Sequence, residues 1–393
     1  MDQIAAKRAP KGKRRNETPD IDDLLAEYES VALVLQGGGA LGAYQAGVFQ
    51  ALNEAGISPN WLSGVSIGAI NAAIITGNTP GKQLDRLRDF WETVSSRKIW
   101  HFTPEGDLFR KWRNEASSMM TMLAGLPGFF KPREVSAWQQ MPGASGATSF
   151  YDTSELEKTL NRLIDWDIVN SREKRLSVGA VNVRTGNFRY FDSEVEVLNA
   201  RHVMASGALP PAFPSVQIEN EFYWDGGIVS NTPLQYLLEQ EDVHDTLVFQ
   251  VDLFSARGVL PREMADVLSR HKDIMYSSRT RNSTDTFRRL HNLRLRLHCA
   301  LQKVPAEQLN EQDRAFLTSM EDVPQINIVH LIYQQKLYEG HGKDYEFSGT
   351  SMREHWDSGY QDTRKTLQHR RWLEKPPESI GMTVHDVHRD DPA

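Results

Sequence analysis

Gly64-Val65-Ser66-Ile67-Gly68 places a serine between two glycines, the pattern of a strand-to-helix elbow that leaves the hydroxyl exposed. A turn that tight has no room for flanking side chains, and the helix behind it favours negative charge at its first residues. That is a setting for a serine nucleophile in acyl transfer. Upstream, Gly37-Gly38-Gly39 and Gly42 follow an apolar run. This spacing also satisfies a dinucleotide fingerprint, but such a site needs an acidic residue at the end of the second strand. Glu54 falls inside the first helix instead, so the nucleotide reading loses. Consecutive glycines beside a helix start offer bare backbone N–H groups, which suit a phosphate or a developing oxyanion. Downstream stands Trp224-Asp225-Gly226-Gly227, which by itself reads as an ordinary Asp-Gly turn.

The elements that must carry these residues are visible in the hydrophobic pattern. Val31 to Leu35 is a continuous apolar run of strand length, as in a buried parallel strand. Tyr44, Val48, Phe49 and Leu52 recur at helical spacing between Ala43 and Glu54, with Gly56 as a stop. Trp61-Leu62 begins a second short strand, and Ala69 to Ile75 a small-residue helix. Strand, glycine loop, helix, strand, elbow, helix is α/β layering around a largely parallel sheet. Further strands are expected at Leu176 to Val183, Phe188 to Phe191, Phe222 to Trp224 and Thr246 to Leu253. Ser117 to Phe130 is unusually apolar for a connection, and reads as core packing or, in the alternative, as a lipid-facing lid.

A nucleophilic serine needs a base. A common α/β-hydrolase would supply a histidine after an acid, with strands ahead of the elbow. Here no histidine stands in such a context; His202 precedes a helix and His330 sits in a strand-like run, both ordinary structural positions. The glycine loop, the elbow, the block from Ala205 to Pro214 and Asp225-Gly226-Gly227, in that order, resemble the patatin-like phospholipase family over about Val31 to Leu253. The resemblance implies a three-layer α/β/α fold and a Ser–Asp pair without histidine, here Ser66 as nucleophile and Asp225 as base. It implies an oxyanion hole from the N–H groups of Gly37, Gly38, Gly39 and Ile67, with Gly42, Gly64, Gly68, Gly226 and Gly227 supporting the motifs. Neither metal nor cofactor enters that scheme. Many members carry Arg or Lys two residues after the glycine triplet, where this chain has Leu41. Asp344 to Thr363 resembles the C-terminal extension of a bacterial subset.

The expected activity is lipid ester hydrolysis, with two alternatives: an acyltransferase using the same pair, or a non-catalytic membrane-associated binding protein. Composition agrees. A net charge of −7 over 393 residues argues against nucleic acid as the partner. Cys299 is the only cysteine, which excludes an intramolecular disulfide and a cysteine-based metal site. The basic start, Met1 to Arg15, lacks the apolar segment of a secretory signal, and no apolar run reaches the ~18 residues of a membrane span. A cytoplasmic protein meeting lipid peripherally is the resulting expectation. Three regions are expected: a disordered tail over residues 1–29, a catalytic domain over 30–257, and a mostly helical extension over 258–393 with a strand-like run at Ile326 to Tyr333.

Overall fold

The computed structural model describes residues 19–96, 107–240, 244–320, 323–336, 338–377 and 380–386. The chain enters order through a short helix, α1 (Ile21–Leu25), capped by the Asp20 side chain. Leu24 and Tyr28 are buried in the main core, so the part of the expected tail from residue 19 onward is structured. Residues 1–18, which hold the basic cluster, lie outside the described residues.

Strand β1 (Ser30–Leu35) then alternates its side chains between two cores. Leu33 and Leu35 join a cluster with the helices on one face, Ala32 and Val34 a cluster on the other. A strand apolar on both sides must be covered on both, which is why the run is continuous rather than alternating. The glycine loop turns the chain into α2 (Ala43–Glu54); β2 (Trp61–Gly64) follows, and Ser66 leads into α3 (Ile67–Thr76). Next come α4 (Gln83–Val94), α5 (Asp107–Ala124) and a hairpin of β3 (Lys131–Pro132) with β4 (Tyr151–Asp152). Helices α6 (Ser154–Leu163) and α7 (Trp166–Asn170) lead to β5 (Arg175–Asn182) and β6 (Phe188–Asp192). The portion before residue 257 closes with α8 (Ala200–Ser206), β7 (Val216–Ile218), β8 (Glu221–Asp225), α9 (Leu234–Leu238) and β9 (Thr246–Asp252).

The rest of the chain is not a separate module. After the long α10 (Met264–Leu301) and α11 (Glu311–Ser319), β10 (Ile326–Ile332) pairs in parallel with β9. Helix α12 (Gly349–Thr366) packs on α2, and β11 (Met382–Asp386) pairs with β10. The described sheet has nine strands, ordered β11-β10-β9-β1-β2-β5-β8-β7 with β6 beside β5. From β11 to β5 every pairing is parallel; β6, β8 and β7 pair antiparallel. Ending the sheet near Arg257 would leave the fully buried β9 as an open edge. The extension covers that edge, so the expected boundary divides sequence composition but not the core.

The α2–α12 contact is close because glycines face backbone on both helices. A methyl group on Gly47 would lie 1.9 Å from the Trp356 carbonyl oxygen, and one on Gly359 2.0 Å from that of Tyr44. Tyr44 OH donates to Asp362 at 3.1 Å and Trp356 Nε1 to Gln50 at 2.7 Å across the same seam. Gly359→Ala should therefore lower stability by about 1–3 kcal/mol, read as a reduced denaturant midpoint, whereas an alanine at the open Gly186 turn should not disturb α2–α12 packing. An unchanged midpoint for Gly359→Ala would mean that the extension does not pack as described.

Candidate active site

The site forms where two strands meet on one edge of β5. Strand β2 runs parallel to β5 as far as Gly64 opposite Val178. Strand β8 runs antiparallel and reaches Asp225 opposite Ala180. Because β6 occupies the other edge across Ser177 to Val181, β2 and β8 share one edge and point at each other over Gly179. Ser66 lies just past one strand end and Asp225 at the other. The pairing register brings these two residues, far apart in sequence, into one cavity.

Ser66 has φ 56° and ψ −123°, a strained conformation for a residue with a side chain. Its surroundings impose it. A methyl on Gly64 would sit 2.4 Å from the Gly68 carbonyl, and one on Gly68 2.3 Å from the Leu35 carbonyl oxygen, so α3 starts against the strand ends with no space to relax. The Ser66 N–H is held by Ser206 at the end of α8, donating to its carbonyl at 3.1 Å and its Oγ at 3.0 Å. Ser206 Oγ in turn donates to the Gly179 carbonyl at 2.7 Å. Ser206 thus joins the elbow to the strand between the two chain ends. It falls within the Ala205 to Pro214 block, but nothing in its spacing indicates that role.

Asp225 is only 2% exposed. Burial pushes its carboxyl up from 3.8 to about 6, against the lowering effect of the nearby Ser66 side chain and of the hydrogen bond from the Gly227 N–H. That bond is 2.7 Å. A carboxylate that titrates near 6 is a far better proton acceptor at neutral pH than an exposed one.

The glycine loop lies across the same cavity. The N–H groups of Gly38, Gly39 and Ile67 make no hydrogen bond to the described residues and line the cavity with Ser66. Gly37 differs from expectation. Its N–H donates to the Asn231 carbonyl at 3.1 Å, and its own carbonyl accepts from Asn231 Nδ2 at 2.9 Å. Gly37 is therefore committed to holding the loop and is not an available oxyanion donor. Gln36 ties the loop further, its Oε1 accepting from the N–H groups of Leu253 at 2.5 Å and Phe254 at 3.1 Å. Neither Asn231 nor Gln36 was legible as a site residue; each is a polar side chain beside a motif, a common occurrence with no distinctive spacing.

The remaining expected residues support rather than line the site. Gly42 packs against Ile67 and Trp91, and Gly226 against the Gly179 carbonyl; Gly227 reaches the cavity beside Asp225 and Asn231. Leu41 is fully buried, so it has no access to the cavity. Among the described residues no histidine lines the cavity. His202 caps α8, accepting from the Asn199 N–H at 3.0 Å, and burial lowers it to about 4, so it stays neutral. His330 lies on β10. Among the described residues no cluster of three or more potential metal ligands occurs, and no helix is long and apolar enough to cross a membrane.

The cavity holds about 90 Å³ and its wall is mainly aromatic. Phe129, Phe130 and Phe213 meet at centroid distances of 5.1–5.9 Å. The apolar stretch from Ser117 divides accordingly. Met119, Met120, Met122 and Leu123 on α5 are exposed, whereas Leu126, Phe129 and Phe130 are buried. Its second half is core and site wall, and its first half is an exposed apolar face. Tyr276, Tyr345 and Phe347, from beyond residue 257, also line the cavity.

Comparison with known proteins places the chain. Residues 33–238, just over half of its 393, match the family model described as patatin-like phospholipase, and residues 274–379 match one described as patatin phospholipase. A lysophospholipase, nte1, of Aspergillus terreus is 58% identical over 45 residues, which is 12% of this chain and only 3% of that protein. Among solved structures, VipD from Legionella pneumophila aligns over 92% of this chain and 72% of its own, at 15% identity and a TM-score of 0.40. Human GIVD cytosolic phospholipase A2 aligns over 57% and 43%, at 12% identity and a TM-score of 0.34.

The buried carboxylate has a measurable consequence. Raising its pKa from 3.8 to about 6 sets about 3 kcal/mol against ionisation in the folded state. Because the folded value lies above the unfolded one, stability is lost as pH rises from about 4 through about 6 and then stays level. Asp225→Asn removes the titration. Its denaturation midpoint should match the parent protein near pH 4 and exceed it at pH 8; a lower midpoint at pH 8 would contradict the assigned burial penalty.

Proposed function

This chain belongs to the patatin-like phospholipase family, and from that premise we propose that it is a lipid acyl hydrolase working through Ser66 and Asp225. The observation that carries the reading is that Ser66, at its strained elbow, shares one cavity with the buried Asp225, whose carboxyl burial pushes up to about 6. Asp225 takes the Ser66 proton as Oγ attacks the ester carbonyl carbon, and the carbonyl π electrons move onto oxygen. The free N–H groups of Gly38, Gly39 and Ile67 receive that oxyanion. Collapse breaks the bond to the alcohol oxygen, which leaves with the proton held by Asp225. Water then attacks the acyl-serine, Asp225 accepts its proton, and collapse returns the proton to Ser66 as the carboxylic acid departs. Substrate meets the cavity from a lipid surface, with the exposed apolar face of α5 near its aromatic wall supporting a peripheral approach.

Two expectations follow. Ser66→Ala should abolish hydrolysis of lipid and nitrophenyl esters and labelling by a fluorophosphonate, with the denaturation midpoint within about 0.5 kcal/mol of the parent. Retained hydrolysis would remove Ser66 from the mechanism. Because the base must be ionised in the free enzyme, kcat/KM should rise tenfold per pH unit below about 6 and level above it. A profile still rising at pH 8 would point to another base. Running the reaction with an excess of a competing alcohol separates hydrolysis from acyl transfer by product.

A further inference from the structure

The cavity has two unlike walls. Phe129, Phe130, Phe213 and Phe347 give it a hydrocarbon side, backed by the buried Trp91, which stacks on Phe347 at 6.3 Å, and by Phe90, which meets Trp91 at 5.4 Å and Phe129 at 6.4 Å. The other side carries phenols. Tyr276, on α10, packs on Phe254 at 4.9 Å, and Tyr345 follows Asp344 in the turn before α12. Both line the cavity. Burial, then the charge of Asp344, then other groups including Asp225, push Tyr276 up to about 12 and Tyr345 higher still. Both therefore remain protonated donors at any ordinary pH. Among the described residues no group accepts a hydrogen bond from either hydroxyl.

These phenols are fixed by a reciprocal pair of ion bridges. Lys272 on α10 donates to both Asp344 oxygens at 2.7 and 2.9 Å, while Lys343 donates to Asp273 at 2.6 Å, the two consecutive Lys-Asp pairs facing each other. The Lys272 ammonium also lies 4.9 Å from the centre of the Tyr345 ring. The same turn bears on the glycine loop, since a methyl on Gly39 would lie 2.2 Å from the Asp344 carbonyl oxygen. Gly39 itself has φ +56°, so the contact leaves the loop little alternative.

We propose that Tyr276 and Tyr345 form a subsite for the alcohol half of the substrate, donating hydrogen bonds to acceptor oxygens of the kind a phosphodiester headgroup carries. The proposal deepens the reading of Ser66 and Asp225 and rests on it for orientation. The leaving alcohol must depart toward the group that returns its proton, and both phenols line the same cavity as Asp225. The aromatic wall is left for the acyl chain. Donors that find no protein partner in a cavity otherwise rich in hydrocarbon favour a ligand that brings acceptors of its own.

The test separates this subsite from the dyad by measuring binding without turnover. In the Ser66→Ala protein, an alkylphosphocholine and the alkanol of the same chain length are titrated below their aggregation limits. The alkylphosphocholine should bind more tightly. Adding Tyr276→Phe and Tyr345→Phe together should weaken it about tenfold while changing the alkanol less than about twofold. Each single variant should show part of that loss, which guards against a misfolded double variant. Equal weakening of both ligands, or none, would overturn the subsite. Hydrolysis surviving Ser66→Ala would instead overturn the dyad, a different failure with a different readout.

Discussion

Everything at this site depends on how three strands share one edge. Strands β2 and β8 come from opposite directions onto the same side of β5 and stop on either side of Gly179. That arrangement brings Ser66 and Asp225 to one cavity. It also explains Ser206, which bonds to Gly179 with its hydroxyl and accepts from the Ser66 N–H. A one-residue slip in either pairing would turn one of the two side chains to the opposite face. The parallel core supplies the rigidity that keeps the register, and the end of β1, between β9 and β2, is the switch point where the glycine loop projects.

The second constraint is desolvation. A carboxylate becomes a useful base near neutrality only when water is removed from it, and removing water destabilises the fold. The site accepts that penalty at one residue and limits it with the hydrogen bond from the Gly227 N–H. The same dryness keeps Tyr276 and Tyr345 protonated, so one physical condition sets the acid–base character of three side chains. The strain at Ser66 belongs to the same economy: the surrounding backbone holds a conformation that an isolated residue would leave.

The segment beyond residue 257 turns out to be part of the machinery. It covers the edge of β9, packs α12 on α2 through facing glycines, and sends Tyr276, Tyr345 and Phe347 into the cavity. Composition changes there because α10 exposes a charged face, with Arg289, Arg294 and Arg296 on the surface, while the segment's buried residues are spread over two strands, α12 and the turns around it.

The amino-acid sequence by itself determined the tight elbow on which the proposed chemistry rests and the layering around it. Gly64, Ser66 and Gly68 state a tight elbow through local sterics alone, and the apolar runs at Val31 and Thr246 state buried strands through their periodicity. Such features depend on neighbours a few residues away, so they can be read in order along the chain. What the tertiary structure decided depends on contacts far apart in sequence. Whether Asp225 is a solvated turn residue or a buried carboxylate is set by the strand register against β5. Whether Gly37 offers its N–H or gives it to Asn231 is set by a loop 194 residues away. Leu24 and Tyr28, inside the expected tail, find the core, and the extension joins the sheet because β9 needed a partner. Burial and pairing are collective properties of the folded chain, and spacing along the sequence does not encode them.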